Sequence, residues 1–401
     1  MKPKVMLIIP EMPTGGAQRS LAKLSLELSQ YATVFFVIFN RSQPIAYTIG
    51  GDLFSLEVYP KQNYLSKAWS FWKRVQKLRK LKKELSVDVS VSFLEGADYI
   101  NVLTRTTEKV VLSIRGSKLH DQIMRSYLFW VRSKILIPRL YRRADLIITV
   151  NRGIRDELLN MYKIPKTRVK TIYNFYDAKE IADLSFEDKD QYLSNVYQFP
   201  VLVTSGRLAP EKRLIFLLRI FIELKKKKPN VRFLFIGDGP ELNALLKICE
   251  SANLRASQGS FDGETPDVIF VGNQRNVFKY LRGASLYLLN SSSEGFPNGM
   301  VEAMICDVPV MSSDCPYGPR EILAPELNVI QLDRAIVNSR GILMPLDNSD
   351  DHLETWVRAI ILVLEDTDLR TRLSQGGSER ICEFDKEKII SQWLSVITPS
   401  N

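Results

Sequence analysis

Apolar runs of six to ten residues alternate with amphipathic stretches along this chain of 401 residues. The runs are rich in Val, Ile, Leu and Phe, which is typical of strands buried on both faces of a sheet. They predict strands at 5–10, 32–39, 87–94, 109–114, 145–150, 199–208, 231–239, 267–272, 284–292 and 308–313. Stretches between them, such as SLAKLSLELS (20–29), have the spacing of amphipathic helices. The alternation predicts an α/β protein with parallel sheets.

The segment 179–198 is polar and has no strand pattern, so it separates two halves of similar size. We interpret 1–180 and 199–382 as two Rossmann-like, doubly wound domains joined by a linker at 181–198. Ligands of such sheets bind beyond the carboxyl ends of the strands. The sequence therefore predicts two binding edges that face each other across a cleft.

The net charge of +10 is concentrated in the first half. Residues 1–180 contain 31 Lys and Arg against 15 Asp and Glu, whereas the remainder contains 24 against 30. Segments 67–83 and 124–143 interleave basic side chains with aromatic ones, which is typical of a surface that binds anionic lipid. The alternative is that the aromatic side chains face the core. No motif of a nucleic-acid-binding protein accompanies this charge, so we expect no nucleic-acid partner.

The composition limits the chemistry further. The four cysteines form no C-x-x-C pair, which is typical of free thiols in a reducing cytosol. With His120 and His352 as the two histidines, no zinc site is expected. No apolar run approaches the ~20 residues of a membrane span. These features predict a cytoplasmic protein.

Two turns before predicted helices can bind anions. In SGRLAPEKR (205–213) a strand ends at Gly206, and Arg207 and Lys212 follow in the loop. Two such cations can clamp a diphosphate. Cations are unfavourable at a helix start unless an anion binds there, which argues against a merely solvated loop. The glycine pair in PTGG (13–16) can also admit a ligand, although a plain turn is the simpler interpretation.

The stretch SSSEGFPNGMVEAM (291–304) contains two carboxylates around a turn. Glu294 precedes Gly-Phe-Pro, and Glu302 lies about one turn into the helix that follows. Carboxylates accept hydrogen bonds from sugar hydroxyls, and the free amides of a helix start bind phosphate. Together they predict a nucleotide sugar as ligand. The alternative, that Glu302 only complements the helix dipole, leaves Glu294 unexplained.

Several motifs, in the same order, resemble those of the retaining glycosyltransferases of family 4, which have the GT-B fold. SEGFPNGMVEAMICDVPVMSSDCPYGPREIL resembles their glutamate-x7-glutamate signature, SGRLAPEKR their diphosphate loop and PTGGAQR their N-terminal glycine loop. The resemblance covers nearly the whole chain. It implies that the first domain binds the acceptor and the second the nucleotide sugar. It also implies that 383–401 is a helix that crosses back to the first domain.

The resemblance also assigns roles to individual residues. Arg207 and Lys212 would stabilise the leaving diphosphate, and with Glu294, on the transferred sugar, they are the expected catalytic residues. Glu302 would hold the ribose. The implied donor-binding residues are Gly16, Gly206, Arg207, Lys212, Gly272, Asn273, Glu294, Gly295, Phe296, Asn298, Gly299 and Glu302. The implied acceptor-binding residues are Arg19, Arg115, where many relatives have histidine, and His120.

The implied reaction moves a hexose or N-acetylhexosamine from a UDP-sugar to a lipid-linked glycan in bacterial surface polysaccharide or lipopolysaccharide synthesis. Configuration is retained, and the leaving phosphate takes the acceptor's proton, so no side-chain nucleophile is expected. No DxD pair stands at a strand end, so neither a metal nor a cofactor is expected. The enzyme is expected to lie peripherally on the inner face of the cell membrane.

Two other functions stay open. One is a catalytically inactive GT-B protein that binds a nucleotide sugar or a glycolipid, against which the intact Arg207, Lys212, Glu294 and Glu302 argue. The other is a nucleotide-sugar epimerase, which would interconvert donors without an acceptor.

Overall fold

A computed structural model describes residues 2–59, 63–119, 127–187, 191–327, 331–346 and 350–398. The chain forms two compact units, Met1–Phe175 together with Lys386–Asn401, and Tyr176–Asp385. Each unit contains its own sheet of predominantly parallel strands. The predicted pair of doubly wound α/β domains is therefore confirmed.

Within the described residues, the first unit has a seven-stranded sheet. Its strands are β1 (Lys4–Ile9), β2 (Thr33–Ile38), β3 (Asp52–Ser55), β4 (Val89–Phe93), β5 (Lys109–Ile114), β6 (Leu146–Thr149) and β7 (Val169–Thr171). They pair in parallel in the order β3-β2-β1-β4-β5-β6-β7. The five strands predicted here are confirmed. The sequence does not predict β3 and β7, because strands of four and three residues carry too few apolar positions.

Alternate side chains of β1 enter two apolar layers, one on each face of this sheet. The helices of this part of the chain are α1 (Gly16–Ser29), α2 (Tyr64–Leu85), α3 (Glu95–Leu103), α4 (Tyr127–Val131), α5 (Ile137–Tyr141) and α6 (Arg152–Asn160). Val5 and Leu7 pack in one layer with α1, whereas Met6 and Ile8 pack in the other with α2 and α3. A π-helical turn, Arg132–Leu136, separates α4 from α5.

The second unit has an eight-stranded sheet within the described residues. Its strands are β8 (Val201–Ser205), β9 (Arg232–Ile236), β10 (Ala256–Gln258), β11 (Val268–Phe270), β12 (Leu286–Leu289), β13 (Val310–Ser313), β14 (Ile336–Asn338) and β15 (Gly341–Met344). The order is β10-β11-β9-β8-β12-β13-β15-β14, with only β14 antiparallel among these strands. β8 lies between β9 and β12, so the strand order reverses there. Ligands of doubly wound sheets bind at such a switch point.

The second unit begins with two helices that precede its sheet, and further helices cover the sheet. They are α7 (Ala178–Ser185), α8 (Gln191–Val196), α9 (Leu214–Lys227), α10 (Leu242–Ser251), α11 (Phe278–Leu281), α12 (Asn298–Ile305), α13 (Gly318–Leu323), α14 (Asp350–Glu365) and α15 (Thr367–Ile381). The interpretation of 181–198 as a linker differs from this, because α7 and α8 belong to the second unit. Ile181, Leu193 and Val196 are buried, and Asn276 donates to the carbonyl of Leu184 at 2.8 Å.

The last helix, α16 (Lys386–Ile397), is part of the first unit. Its Trp393 stacks on Phe93 of β4, with ring centroids 6.4 Å apart. Lys109 of β5 donates to the carbonyl of Val396 at 2.8 Å. The chain therefore leaves the first unit after β7 and returns to it at α16.

Candidate active site

Glycines allow the turns after β8 and β9 to pack against each other. The amide of Gly206 donates to the carbonyl of Ile236 at 2.9 Å. Gly237 has φ +132°, and a Cβ on it would lie 2.0 Å from the carbonyl oxygen of Gly206. No other residue type fits this approach without movement of the backbone. The contact holds the loop that begins at Arg207 against the switch point.

Both cations of the predicted diphosphate clamp are paired with carboxylates. The guanidinium of Arg207 donates to Glu211 at 2.7 Å, and this side chain is 65% exposed. Lys212 closes a short 3-10 turn, Pro210–Lys212, and its Nζ donates to Oε1 of Glu294 at 2.5 Å. The Arg207 pair is exposed and weak, whereas the Lys212 pair is shielded. The structure thus joins Lys212 and Glu294, which are 82 positions apart.

Glu294 determines the protonation state of Lys212. Burial lowers the pKa of Lys212, but the adjacent Glu294 carboxylate outweighs this effect, so the pKa is raised overall. Ser291 also donates its hydroxyl to Oε1 of Glu294, at 2.6 Å. Lys212 is therefore a stable cation at neutral pH. Ser291 stands three positions before Glu294 but was not among the predicted site residues.

The turn between Glu294 and α12 is held by aromatic packing. The ring of Phe296 is buried, stacks on Tyr176 at 6.4 Å and meets Phe384 edge-on at 5.2 Å. The hydroxyl of Tyr176 donates to Oδ1 of Asn298 at 2.5 Å, and the amide of Asn298 donates to the carbonyl of Phe296 at 2.9 Å. The Phe296 ring thus serves packing, and a ligand would meet this turn through its backbone.

The first turn of α12 packs closely on the end of β8. A Cβ on Gly299 would lie 2.4 Å from Oγ of Ser205 and 2.6 Å from the hydroxyl of Tyr287. Glu302 follows one turn into α12 and is 2% exposed, and Glu294 is 9% exposed. Both carboxylates of the glutamate pair are therefore enclosed by the protein and are not surface charges.

The remaining predicted donor residues of the second unit lie in the turns after β11 and β12. Gly272 has φ +69°, and its carbonyl accepts from the amide of Gly237 at 2.9 Å. Asn273 is exposed, and Gly295 is half-buried. The hydrogen bond from Gly237 joins the turns after β9 and β11 at the same edge of the sheet as the switch point.

The described members of the predicted set in the first unit, Gly16, Arg19 and Arg115, follow β1 and β5. Gly16 is exposed and begins α1, and Arg19 follows in the first turn. Arg115 follows β5, donates to Oδ1 of Asn174 and lies over the ring of Phe93, 5.1 Å from its centroid. His120 lies outside the described residues.

A charged network that the sequence analysis missed follows β4 and β5. Glu95 accepts from Nε of Arg132 at 2.6 Å and from the hydroxyl of Tyr99 at 2.5 Å, and Lys118 lies 3.2 Å away. Burial acts to raise the pKa of Glu95, but Arg132 and Lys118 lower it to about 2. Glu157 accepts from the amide of Lys118 at 2.8 Å. These carboxylates anchor the segment that leads to residue 119.

Two negative findings concern the described parts of the chain. In those ranges no three His, Cys, Asp or Glu side chains cluster in a way that could hold a metal ion. Among the described helices, none combines the length and the apolar character needed to cross a bilayer.

Two family models match the two halves of the chain, Glycosyltransferase Family 4 at residues 14–180 and Glycosyl transferases group 1 at residues 199–366. An uncharacterized glycosyltransferase of Methanocaldococcus jannaschii is 30% identical over 355 residues, which cover 82% of this chain and 84% of that protein. The N-acetylgalactosamine-N,N'-diacetylbacillosaminyl-diphospho-undecaprenol 4-alpha-N-acetylgalactosaminyltransferase of Campylobacter jejuni is 26% identical, over 98% of this chain and 99% of that one. The crystal structure of Anabaena HepE with UDP and glucose has the same fold, with a TM-score of 0.72 and 17% identity over 98% of this chain and 99% of HepE.

Proposed function

Because the chain belongs to glycosyltransferase family 4 and has the GT-B fold, we propose that it transfers a sugar, with retention, from a UDP-sugar to a lipid-linked glycan in bacterial surface polysaccharide synthesis. The observation that carries the proposal is the shielded pair of Lys212 and Glu294 at the switch point, with Glu302 buried in α12. In this proposal Lys212 binds the diphosphate, Glu294 the transferred sugar and Glu302 the ribose.

Lys212 and Arg207 bind the diphosphate in this proposal. Lys212 is fixed in place by Glu294. The pair of Arg207 with Glu211 is solvent-exposed, and such pairs are worth about 0–1 kcal/mol, so the guanidinium can turn to a phosphate at little cost. Preorganised donors of this kind are each worth about 3 kcal/mol in the transition state of related group transfers.

The two cations stabilise the negative charge that develops on the diphosphate when the bond to the sugar is cleaved. The bond from the anomeric carbon to the β-phosphate oxygen is cleaved, and its electron pair leaves with UDP. The acceptor oxygen forms the new bond on the same face, and its proton passes to the departing phosphate. Glu294 accepts hydrogen bonds from Lys212 and Ser291, which supports a role in sugar binding over one as nucleophile. We expect turnover without a metal ion.

The donor and acceptor classes follow the relatives. The Campylobacter enzyme is named for an acceptor linked to diphospho-undecaprenol and for the transfer of N-acetylgalactosamine. The HepE structure contains UDP and glucose. We therefore propose a UDP-hexose or UDP-N-acetylhexosamine as donor and a polyprenyl-diphosphate-linked glycan, bound by the first unit, as acceptor. Arg19, Arg115 and His120 stay the proposed acceptor residues.

We also propose that α2 attaches the first unit to an anionic membrane surface. Leu65, Trp69 and Trp72 are 85%, 60% and 59% exposed, and their spacing of four and three residues places them on one face of the helix. Leu78 is buried on the opposite face, and Val75, at the edge of the exposed stripe, is buried as well. The interpretation in which the tryptophans face the core is therefore wrong for Trp69 and Trp72.

The basic side chains of α2 also support binding of this surface to anionic lipid. Tyr64–Leu85 contains eight Lys and Arg and one Glu. Lys82 is buried and pairs with Glu108, but most of the others are exposed, and Lys73 lies over the ring of Trp69 at 4.4 Å. Basic side chains beside exposed tryptophans suit an interface of anionic headgroups. In the second basic segment Trp130 is 52% exposed, while residues 124–126 lie outside the described ranges. The proposed location is peripheral, on the cytoplasmic face of the cell membrane.

The proposal is tested by incubating the full-length protein with radiolabelled UDP-sugars, with and without a polyprenyl-diphosphate-linked glycan. Label should enter the lipid fraction only when protein and acceptor are both present, and EDTA should not slow it. NMR of the product should show the anomeric configuration of the donor. Lys212→Ala is expected to lower the rate about 100-fold or more.

Three results would overturn the proposal. Interconversion of UDP-sugars without an acceptor would identify an epimerase. Binding of UDP-sugars without transfer to any member of an acceptor panel would identify a binding protein. Inversion of the anomeric centre would contradict the proposed front-face step.

A further inference from the structure

Asn290 has a buried amide that lacks a hydrogen-bond partner among the residues the structure describes. It follows β12 directly, and its side chain is 1% exposed. Within the described ranges, neither Nδ2 nor Oδ1 forms a hydrogen bond with another protein group. An amide buried in this way destabilises the folded protein relative to an apolar side chain of the same size.

The neighbouring polar side chains of these strand ends differ from Asn290 in this respect. Ser291 donates its hydroxyl to Glu294 at 2.6 Å, and Ser313 donates to the carbonyl of Ser291 at 3.1 Å. The polar side chains of Ser291 and Ser313 are therefore satisfied, whereas both polar atoms of the Asn290 amide lack a hydrogen-bond partner among the described residues. A buried polar side chain that destabilises the folded protein and lies at a binding edge is explained by a ligand that it contacts.

The amide of Asn290 lines a pocket at the switch point. The wall of this pocket includes Gly206, Lys212, Leu214, Ile236 and Leu289. Leu214, Ile236 and Leu289 form the apolar part of this wall, beside the polar Thr204, Ser205, Arg207 and Lys212. Gly206 has φ +132°, a backbone conformation that favours glycine.

We propose that Asn290 contacts the diphosphate of the nucleotide donor, with Nδ2 donating to a phosphate oxygen. The inference rests on the proposed function, because it takes the anion at Lys212 to be a nucleoside diphosphate. Lys212 and Asn290 line the same pocket, so a phosphate oxygen that binds Lys212 from within it would lie next to the amide of Asn290. The carboxamide adds a donor there without adding charge, so the charge balance between Lys212 and Glu294 is kept.

The test compares a ligand that has the diphosphate with one that lacks it. Affinities for UDP and for uridine are measured by calorimetry and by NMR titration in the wild type and in Asn290→Leu. The variant should bind UDP about tenfold more weakly, the loss expected for a hydrogen bond to a charged group. Its affinity for uridine should not change, and its Tm without ligand should rise because the buried amide is gone.

Matched variants make the result specific. Asn290→Asp has the same shape but opposes the diphosphate with a carboxylate, so it should weaken UDP binding more than leucine does. Asn243→Leu, at an exposed position of α10, should change neither affinity. If Asn290→Leu does not fold, Asn290→Ala, a shorter side chain without a donor, is compared in the same way.

The outcomes separate this inference from the proposed function. If UDP binds the wild type and is weakened by Lys212→Ala but not by Asn290→Leu, the amide is not a diphosphate ligand and the inference is overturned. An equal loss of UDP and uridine affinity would overturn it as well, because the effect would then be structural. If the wild type binds none of UDP, GDP and ADP, the donor assignment itself fails.

Discussion

Nζ of Lys212 lies 2.5 Å from Oε1 of Glu294, and the two side chains are 24% and 10% exposed. The pair connects the loop after β8 to the loop after β12, on the two sides of the switch point. In the proposed reaction Lys212 serves the donor phosphate and Glu294 the donor sugar. A donor therefore has to share or replace an ion pair that is already formed, and this couples phosphate binding to the sugar contact.

Glu294→Gln is expected to separate donor binding from transfer. Without the carboxylate, the charge of Lys212 is available to phosphate, so UDP should bind about three- to tenfold more tightly, for a coupling of ~1 kcal/mol. Transfer should fall about 100-fold or more, because the sugar loses its carboxylate contact. Calorimetry with UDP and initial rates measure the two effects.

The control for this substitution is Glu211→Gln. It removes the exposed partner of Arg207 and should change UDP affinity by less than about threefold, as expected for a surface pair. A Glu294→Gln protein that binds UDP more weakly than the wild type would show that the carboxylate supports phosphate binding and does not compete with it.

Glu302→Gln tests the ribose contact. A buried carboxylate that accepts from a ribose hydroxyl favours UDP over 2′-deoxy-UDP or 3′-deoxy-UDP. We expect the wild type to prefer UDP by about tenfold over at least one deoxy ligand, and the variant to lose most of that preference. Glu250→Gln, on the exposed side of α10, is the control. Equal discrimination by Glu302→Gln and the wild type would remove Glu302 from the ribose site.

Gly299→Ala tests the close packing of α12 on β8. The new Cβ would lie 2.4 Å from Oγ of Ser205 and 2.6 Å from the hydroxyl of Tyr287, whose side chain is fully buried. Overpacking of this kind costs about 1–3 kcal/mol, and the gain in helix propensity, about 1 kcal/mol, offsets part of it. The free energy of unfolding in urea should therefore fall. Gly116→Ala, where a Cβ meets no atom within 4 Å, should be close to neutral, and equal values for the two variants would refute the steric explanation.

The strand pattern made the fold predictable. Buried parallel strands are continuous apolar runs, which can be identified in the sequence without knowing the neighbouring strand. The Glu294 and Glu302 positions were predictable for a local reason, since one turn and one helix place both. The pairing of side chains that are distant in the sequence was not predictable. Lys212 meets Glu294 across 82 positions, and Arg132 meets Glu95 across 37, so each pair depends on sheet order. The unsatisfied amide of Asn290 was invisible for the same reason, because burial without a partner is a property of the assembled sheet.

The exposed face of α2 should bind anionic vesicles. The wild type is expected to sediment with phosphatidylglycerol vesicles more than with phosphatidylcholine vesicles, and salt should weaken this binding. Replacing Trp69 and Trp72 by Ser should weaken it about tenfold or more without loss of stability, since both rings are more than half exposed. Val337→Ser, an exposed apolar site in the second unit, is the control. Binding that is independent of lipid charge or of both tryptophans would refute this surface.

Asp98→Asn should stabilise the protein in a pH-dependent way. Asp98 is fully buried in α3, where it accepts from Ser92 at 2.8 Å and from Tyr141 at 3.1 Å. Burial raises its pKa from 3.8 to about 7, so between these values the folded state binds the proton that the unfolded state releases. The stability that Asp98 contributes is present below pH 3.8 and is lost as the pH rises through 7.

The asparagine variant has no such titration. The gain in unfolding free energy over the wild type should therefore be small at pH 4 and grow to about 4 kcal/mol at pH 8, as judged by urea unfolding. Glu95→Gln should behave oppositely. The pKa of Glu95 is lowered to about 2, so the variant should be destabilised above pH 4.5, with the deficit shrinking as the pH falls toward 2. A gain for Asp98→Asn that does not change between pH 4 and pH 8 would mean that Asp98 is ionised in the folded protein throughout this range.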